Sequence, residues 1–109
     1  MNHYIFDREN IFRVREGLLG TVEGCRVMVF RYASDSESAE AYAYATAKLS
    51  AGTRFSNQTR QEKQYTMVDR KQESVMVKQT GRHIAIVIGS DADKIKAIAE
   101  RLVAKLQGA

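Results

Sequence analysis

Two segments of this 109-residue chain follow the same plan, in which an apolar stretch runs directly into a helix-capping sequence. Residues 30–37 are Phe-Arg-Tyr-Ala-Ser-Asp-Ser-Glu, and residues 86–93 are Ile-Val-Ile-Gly-Ser-Asp-Ala-Asp. An apolar stretch followed by a cap predicts a β-strand that leads into an α-helix. The segments that follow end near Gly52 and at Gly108, after similar lengths. The repeat therefore constrains the architecture to two strand–helix units, and it indicates no particular chemistry.

The composition is typical of one globular domain over residues 1–109, with 44% hydrophobic and 28% charged residues. The sequence has no run of about 18 apolar residues that could cross a membrane. Its first residues also lack the apolar core of a secretory signal. The one cysteine, Cys25, excludes an intrachain disulfide and a cysteine metal cluster. We therefore predict a cytoplasmic protein without membrane contact.

The N-terminal half predicts a β-hairpin. Residues 11–15 have the composition of a short strand, residues 17–20 that of a turn, and residues 21–32 that of a longer strand. Alternation along the longer strand gives it one apolar face made of Cys25, Val27 and Val29. The opposite face, made of Met28, Phe30 and Tyr32, is also apolar, so we predict a central strand.

The next segment predicts a helix that begins after Ser34, with Glu37 completing a Ser-x-x-Glu capping box. Helical periodicity predicts one buried stripe: Ala39, Tyr42, Ala43, Thr46 and Leu49. Tyr44 lies on the opposite side of the helical wheel, so we predict that it is an exposed aromatic residue.

The C-terminal half predicts a mobile loop around 51–63, then three strands, then a strongly amphipathic helix at about 91–107. The three strands are predicted near 64–69, 73–79 and 83–89. The resulting order is β-β-α-β-β-β-α. We predict an α+β fold, a mostly antiparallel five-stranded sheet with both helices packed on one face as a two-layer sandwich.

Two helices on one face would leave the other apolar face of the sheet uncovered. Three groups could cover it: the N-terminal segment with Tyr4, Ile5 and Phe6, a second copy of the chain, or a small apolar ligand. We predict a homodimer through this helix-free face, which also offers a site for a small apolar ligand. The face is predicted to carry Cys25, Val27 and Val29.

The net charge of +4 comes from residues 54–82, which include seven basic and three acidic residues. The basic residues are Arg54, Arg60, Lys63, Arg70, Lys71, Lys78 and Arg82. One interpretation is a footprint for nucleic acid or another acidic partner, with Phe55, Tyr65 or His83 as aromatic contacts. The other is a solvated hairpin whose charges prevent edge-to-edge aggregation. The sequence favours the second, because the charges are interrupted and no nucleic-acid module signature is present.

Residues typical of catalysis or metal binding are sparse. The only histidines are His3 and His83, and Cys25 lies among apolar residues, as a buried structural cysteine does. Asp91 and Asp93 are explained by helix capping, and no glycine-rich phosphate loop is present. We therefore predict no metal, no cofactor and a non-catalytic binding module. The alternatives are binding of an acidic partner through residues 54–82, and a small enzyme in which His83 or Tyr65 transfers a proton.

Overall fold

The computed structural model describes residues 16–51, 56–60, 63–68 and 72–107. Its elements follow the chain in this order: β1 (Glu16–Val22), β2 (Cys25–Arg31), α1 (Asp35–Ala51), β3 (Ser56–Arg60), β4 (Gln64–Val68), β5 (Ser74–Thr80), β6 (His83–Gly89) and α2 (Ala92–Gln107). The strands form one sheet in the order β1-β2-β6-β5-β4-β3, and all neighbours are antiparallel. The predicted α+β fold with an antiparallel sheet and two helices is confirmed.

In the described part of the chain the sheet has six strands instead of five, because β3 forms within the predicted loop 51–63. The sequence of β3, Ser-Asn-Gln-Thr-Arg, has no apolar residue and therefore no alternation to reveal a strand. It pairs with β4 through backbone groups, with a register shift between Ser56 and Thr59. Residues 52–55 and 61–62 of the predicted loop lie outside the described residues.

The first hairpin turns at Glu23–Gly24, and the predicted turn at residues 17–20 is wrong. Val22 pairs with Cys25, so the loop has two residues, and both have positive φ, 51° for Glu23 and 84° for Gly24. Positive φ at both positions matches the twist of the flanking strands. Gly24 adopts this conformation without steric cost. Glu23 occupies the position where such turns usually have Asn, so the sequence lacks the Asn-Gly pair that predicts a hairpin turn. The strand predicted at 11–15 lies outside the described residues.

The two helices pack on opposite faces of the sheet, so the prediction that both cover one face is wrong. Ala41, Tyr42 and Ala45 of α1 share a buried cluster with Phe30 and with the isoleucines of β6 at 84, 86 and 88. On the other face, α2 shares a second cluster with alternate sheet residues: Cys25, Val27, Met76 and Val87. Because β2 and β6 are apolar on both sides, each side needs a cover. One helix supplies each, giving three layers.

Hydrogen bonds confirm both predicted helix starts. The Glu37 backbone N–H donates to Ser34 Oγ at 3.1 Å, which makes Ser34 the N-cap, and the Glu37 carboxylate accepts from the N–H of Ala33, one residue before the cap, at 3.3 Å. At α2, Asp91 Oδ1 accepts from the backbone N–H groups of Asp93 and Lys94 at 3.0 and 3.2 Å. Neither described helix is long and apolar enough to cross a membrane.

The buried side of α1 differs from the predicted stripe. Its buried residues are Ser38, Ala41, Tyr42, Ala45 and Thr46, while Ala39 and Ala43 are exposed. Alanines on every side of the helix leave its rotation undefined by hydrophobic periodicity. The exposed position predicted for Tyr44 is confirmed, and the predicted apolar stripe of α2 is buried at Ile95, Ile98 and Ala99.

Candidate anion-binding groove

A groove opens at the end of the sheet where α2 terminates. It has a volume of about 660 Å³. Its lining comes from the end of β2, the first turn of α1, the β5–β6 turn and the last turn of α2: Arg31, Asp35, Thr80, Gly81, Arg82, His83, Leu106 and Gln107. Two arginines and one histidine therefore border the same space, together with one carboxylate. We call this space the arginine compartment.

Strand register brings the arginine compartment together. Arg31 of β2 pairs with His83 of β6, and His83 pairs with Thr80 of β5. Paired residues in an antiparallel sheet project to the same face, so these three form one row across three strands. Alternation from Val87 places that row on the face that α2 covers. Helix α2 ends beside this row, because Gln107 Nε2 donates to Thr80 Oγ1 at 3.2 Å.

The β5–β6 turn, which carries Arg82 into the arginine compartment, is fixed on two sides. The Tyr32 backbone N–H donates to the Arg82 carbonyl at 2.8 Å. From the α1 side, buried Gln79 donates through Nε2 to the Gly81 carbonyl at 2.9 Å and to Ser38 Oγ at 3.3 Å. Gly81 has φ 54°, as a two-residue hairpin turn with glycine at its first position requires. The polar residues packed under α1 thus hold the turn in place.

The electrostatics of the arginine compartment favour a neutral imidazole. Burial lowers the pKa of His83 below its ordinary value of 6.5, and the charges of Arg31 and Arg82 lower the pKa further. A neutral histidine near pH 7 donates one hydrogen bond and accepts another. The compartment therefore has two fixed positive charges, a neutral donor and acceptor, and the Asp35 carboxylate at its rim.

A second groove of about 430 Å³ lies beside the first on the same face. It is lined by Lys63, Gln64, Lys78, Gln79, Thr80, Val103 and Gln107. The Gln79 N–H donates to the Lys63 carbonyl at 3.0 Å, which places Lys63 next to β5. No acidic residue belongs to this lining, as far as the described residues show. We call this space the lysine compartment; Thr80 and Gln107 border both compartments.

The predicted basic patch is divided between these two compartments. Lys63 and Lys78 line the lysine compartment, and Arg82 lines the arginine compartment. Arg60 belongs to β3, and Arg54, Arg70 and Lys71 lie outside the described residues. Arg31 was not predicted as a site residue, because Arg31 lies far from residues 54–82 along the chain. The available signal was its place at the end of a central strand, opposite the start of another.

The three predicted aromatic contacts have different outcomes. His83 is half-buried and lines the arginine compartment. Tyr65 is completely buried in the cluster under α1, so it offers no ring for stacking or proton transfer with a ligand. Phe55 lies outside the described residues.

The predicted face of Cys25, Val27 and Val29 is not free of helix. Cys25 and Val27 are buried in one cluster with Ile95, Ile98 and Ala99, and half-buried Val29 packs against that cluster. Gly89 packs closely against Cys25, because a Cβ atom added at Gly89 would lie 2.9 Å from Cys25 Sγ. The surface that was predicted to bind a second copy or an apolar ligand is occupied by α2.

No three histidine, cysteine, aspartate or glutamate side chains in the described ranges are grouped so that they could hold a metal ion. Comparisons with protein-family models, with curated protein sequences and with solved structures found no match to this chain.

Proposed function

We propose that this protein is a small binding module that holds a phosphate group of its partner in the arginine compartment. The observation that carries the proposal is the meeting of Arg31, Arg82 and His83 around one groove, in which Asp35 is the one carboxylate among the described lining residues. Arg31 and Arg82 come from separate parts of the chain, so only the folded sheet brings them together.

The side-chain chemistry suits a phosphate. A guanidinium group presents a planar fork of N–H donors that matches two oxygens of a phosphate. A phosphate also carries more negative charge near pH 7 than a carboxylate does, so it gains more from two fixed cations. Neutral His83 adds a donor without requiring that a third positive charge be held in the groove.

A titration of the full chain with inorganic phosphate at low salt, followed by calorimetry and by amide NMR shifts, tests the proposal. The double variant Arg31→Gln with Arg82→Gln is expected to bind at least about tenfold more weakly, because hydrogen bonds to charged groups contribute ~1.5–3 kcal/mol each. The matched control, Lys48→Gln with Lys96→Gln, removes the same charge at exposed residues outside both groove linings. We expect less than about a twofold change there.

Equal losses in the two double variants would show that only net charge matters and would reject the proposal. So would a wild-type chain that binds no phosphate at low salt. The contribution of His83 to binding is also expected to grow as the pH falls from 6.5 towards its lowered pKa, since a bound anion favours the protonated imidazole, whereas protonation of the phosphate itself acts on the wild-type chain and on a His83 variant alike. The His83→Gln variant should lose that pH dependence while it keeps the salt dependence.

We also propose that two copies associate through β1. Among the described residues β1 is one edge of the sheet, and it exposes Leu18 at 75% and Leu19 at 52%. Its seven residues include no lysine or proline, the residues that usually protect an edge. The opposite edge, β3, is polar and has a register shift, which protects it from pairing. Leu18 and Leu19 project to opposite faces of the sheet, and an antiparallel pair of β1 strands would place each leucine beside side chains of the other copy on its own face.

Light scattering after size exclusion tests this association. The wild-type chain is expected to have the mass of a dimer, and Leu18→Lys to have the mass of a monomer with an unchanged circular dichroism spectrum. The control is Thr59→Lys, which places the same charge at an exposed residue of the opposite edge and should stay dimeric. A wild-type monomer at the highest soluble concentration would reject the proposal.

We further propose a cytoplasmic location. It is supported by a single cysteine, whose thiol is buried and free. Cell fractionation of the tagged full chain tests this, and recovery from an oxidising compartment would contradict it.

A further inference from the structure

We infer that the partner presents two linked phosphate groups, one for the arginine compartment and one for the lysine compartment. This inference rests on the proposed function and adds to it the class of ligand. The ligand would be a short oligophosphate or a molecule that carries two phosphates a few bonds apart.

The two compartments are adjacent and share part of their lining. Thr80 and Gln107 line both, and the hydrogen bond from Gln107 Nε2 to Thr80 Oγ1 marks the boundary between them. On the helix side that boundary is one exposed side chain, Gln107 at the end of α2, and on the sheet side it is Thr80 of β5. A ligand can therefore extend from one compartment into the other along the α2 face of the sheet.

Strand geometry sets the spacing between the two groups of cations. Lys78 and Thr80 are two residues apart on β5, so they lie on the same face, about 7 Å apart along the strand. Thr80 is in the row of Arg31 and His83, while Lys78 pairs with Gln64 at the start of β4. Lys78 is thus displaced from Arg31 by roughly 7 Å along the strands and by two strand spacings, roughly 10 Å, across the sheet, so their backbone positions lie about 12 Å apart. Arginine and lysine side chains are long enough to converge from that distance on phosphates separated by a few covalent bonds.

The linings also indicate how the ligand is recognised. Among the described residues, the two linings together contain four cations and one carboxylate: Arg31, Arg82, Lys63 and Lys78, and Asp35. Half-buried Val103 and Leu106 supply the apolar contacts from α2. Apart from the imidazole of His83, the described residues of the two linings include no aromatic ring on which a base could stack. Recognition therefore depends on the phosphate groups themselves.

The test compares inorganic phosphate with tripolyphosphate, measured by calorimetry on the full chain. Three double variants to glutamine are used: Arg31 with Arg82, Lys63 with Lys78, and the control Lys48 with Lys96. The Lys63/Lys78 variant is expected to weaken tripolyphosphate binding at least tenfold and to change phosphate binding less than twofold. The Arg31/Arg82 variant should weaken both ligands, and the control should change neither by more than about twofold.

The outcomes separate the two proposals. If phosphate and tripolyphosphate both bind, but the Lys63/Lys78 variant loses no more tripolyphosphate affinity than the control, this inference is overturned and the proposed function stands. The same holds if the Lys63/Lys78 variant weakens both ligands equally, because the lysines would then act on one phosphate site. If the wild-type chain binds neither ligand, the proposed function fails and this inference fails with it.

Discussion

The two faces of the sheet are covered in different ways. Under α1, bulky side chains fill the space between helix and sheet, and completely buried Phe30 and Tyr65 dominate the cluster. Under α2, the cluster is smaller and aliphatic, and the side chains beyond Leu102 along the helix are at most half-buried. At that end the helix borders the two polar compartments. Within the described residues, the α2 face therefore combines core packing with a surface open to a ligand.

This difference shows how a small domain can separate stability from binding. Removing a large side chain from a filled cluster leaves a cavity, so the α1 face should respond strongly to truncation. Charged residues that line an open groove contribute little to folding, because water screens them. Mutations on the α1 face should therefore change stability first, and mutations at the groove end of the α2 face should change binding first.

The largest expected effect is on the α1 face. Phe30→Ala should lower the free energy of unfolding by about 3–5 kcal/mol, and Ile98→Ala on the α2 face by about 2–4 kcal/mol, because both side chains are completely or almost completely buried. Urea unfolding measures both values. Leu18→Ala, at an exposed edge residue, is the control and should stay within about 0.5 kcal/mol.

If Phe30→Ala does not fold, Phe30→Leu keeps the comparison measurable with a smaller loss in the same direction. A greater loss at Ile98 than at Phe30 would contradict the assignment of the main core to the α1 face.

The second prediction concerns the close contact between Gly89 at the end of β6 and Cys25 at the start of β2. Gly89→Ala should cost about 1–3 kcal/mol, because the added Cβ would lie 2.9 Å from Cys25 Sγ. Combining it with Cys25→Ala removes the overlapping sulfur. Urea unfolding of the two single variants and the double variant then gives a favourable coupling of roughly 1 kcal/mol. Strict additivity of the two substitutions would show that Gly89 is not constrained by this contact.

The third prediction compares the helix caps. Ser34→Ala and Asp91→Ala should each lower the free energy of unfolding by about 1 kcal/mol, because each leaves backbone N–H groups of the first turn without their acceptor. Thermal unfolding measures the loss. Ser36→Ala, one residue into the first turn of α1 and exposed, is the control. A loss of equal size in this control would contradict the capping role of Ser34.

The smallest expected effects come from two titrating groups on the α2 side. The pKa of His83 is lowered from 6.5, so the unfolded chain takes up a proton before the folded chain does. Stability should therefore be lost as the pH falls through 6.5 towards the lowered folded pKa. His83→Gln should remove this slope from a series of urea unfolding curves. A slope of opposite sign in the wild-type chain would contradict the neutral imidazole.

Glu23, at the other end of the α2 face, titrates in a lower pH range. The hydrogen bond and the charge of Arg101, at 2.6 Å from the carboxylate, hold the pKa of Glu23 below 4.5. Its contribution is present above pH 4.5 and is lost as the pH falls through the folded pKa. Arg101→Gln should remove the pH dependence of stability in that range and leave the pH dependence that comes from His83 unchanged. Identical curves for Arg101→Gln and the wild-type chain would show that the pair contributes nothing measurable.

Local sequence signals predicted most secondary structure but not the phase of α1. Strands β4, β5 and β6 and both caps follow from alternation and from Ser34, Glu37 and Asp91, whose effects act within a few residues. The predicted buried stripe of α1 was wrong because the alanines of this helix are spread over all its sides. Strand β3 was not predicted because its pairing is made by backbone groups, which leave no pattern of side chains. The turn at Glu23–Gly24 was not predicted because it lacks the residue types usual in a two-residue hairpin turn.

The candidate site was predicted only in part. Lys63, Lys78, Arg82 and His83 were named from the local charge and from the aromatic residues available, which the sequence displays directly. Arg31 was not, because it joins the arginine compartment through strand pairing with a residue 52 positions later in the chain. The strand register decides which residue Arg31 pairs with, and the register depends on which face of each strand is buried.

The sequence by itself determined the α+β class, the antiparallel strands of the second half and both helix starts, because these depend on short-range periodicity and capping. Only the tertiary structure decided that the helices lie on opposite faces and that cations from separate strands meet at the end of α2. Those features depend on long-range packing: both apolar faces of β2 and β6 had to be covered, and one helix went to each. The same arrangement removed the predicted helix-free face and left the grooves at the end of the sheet.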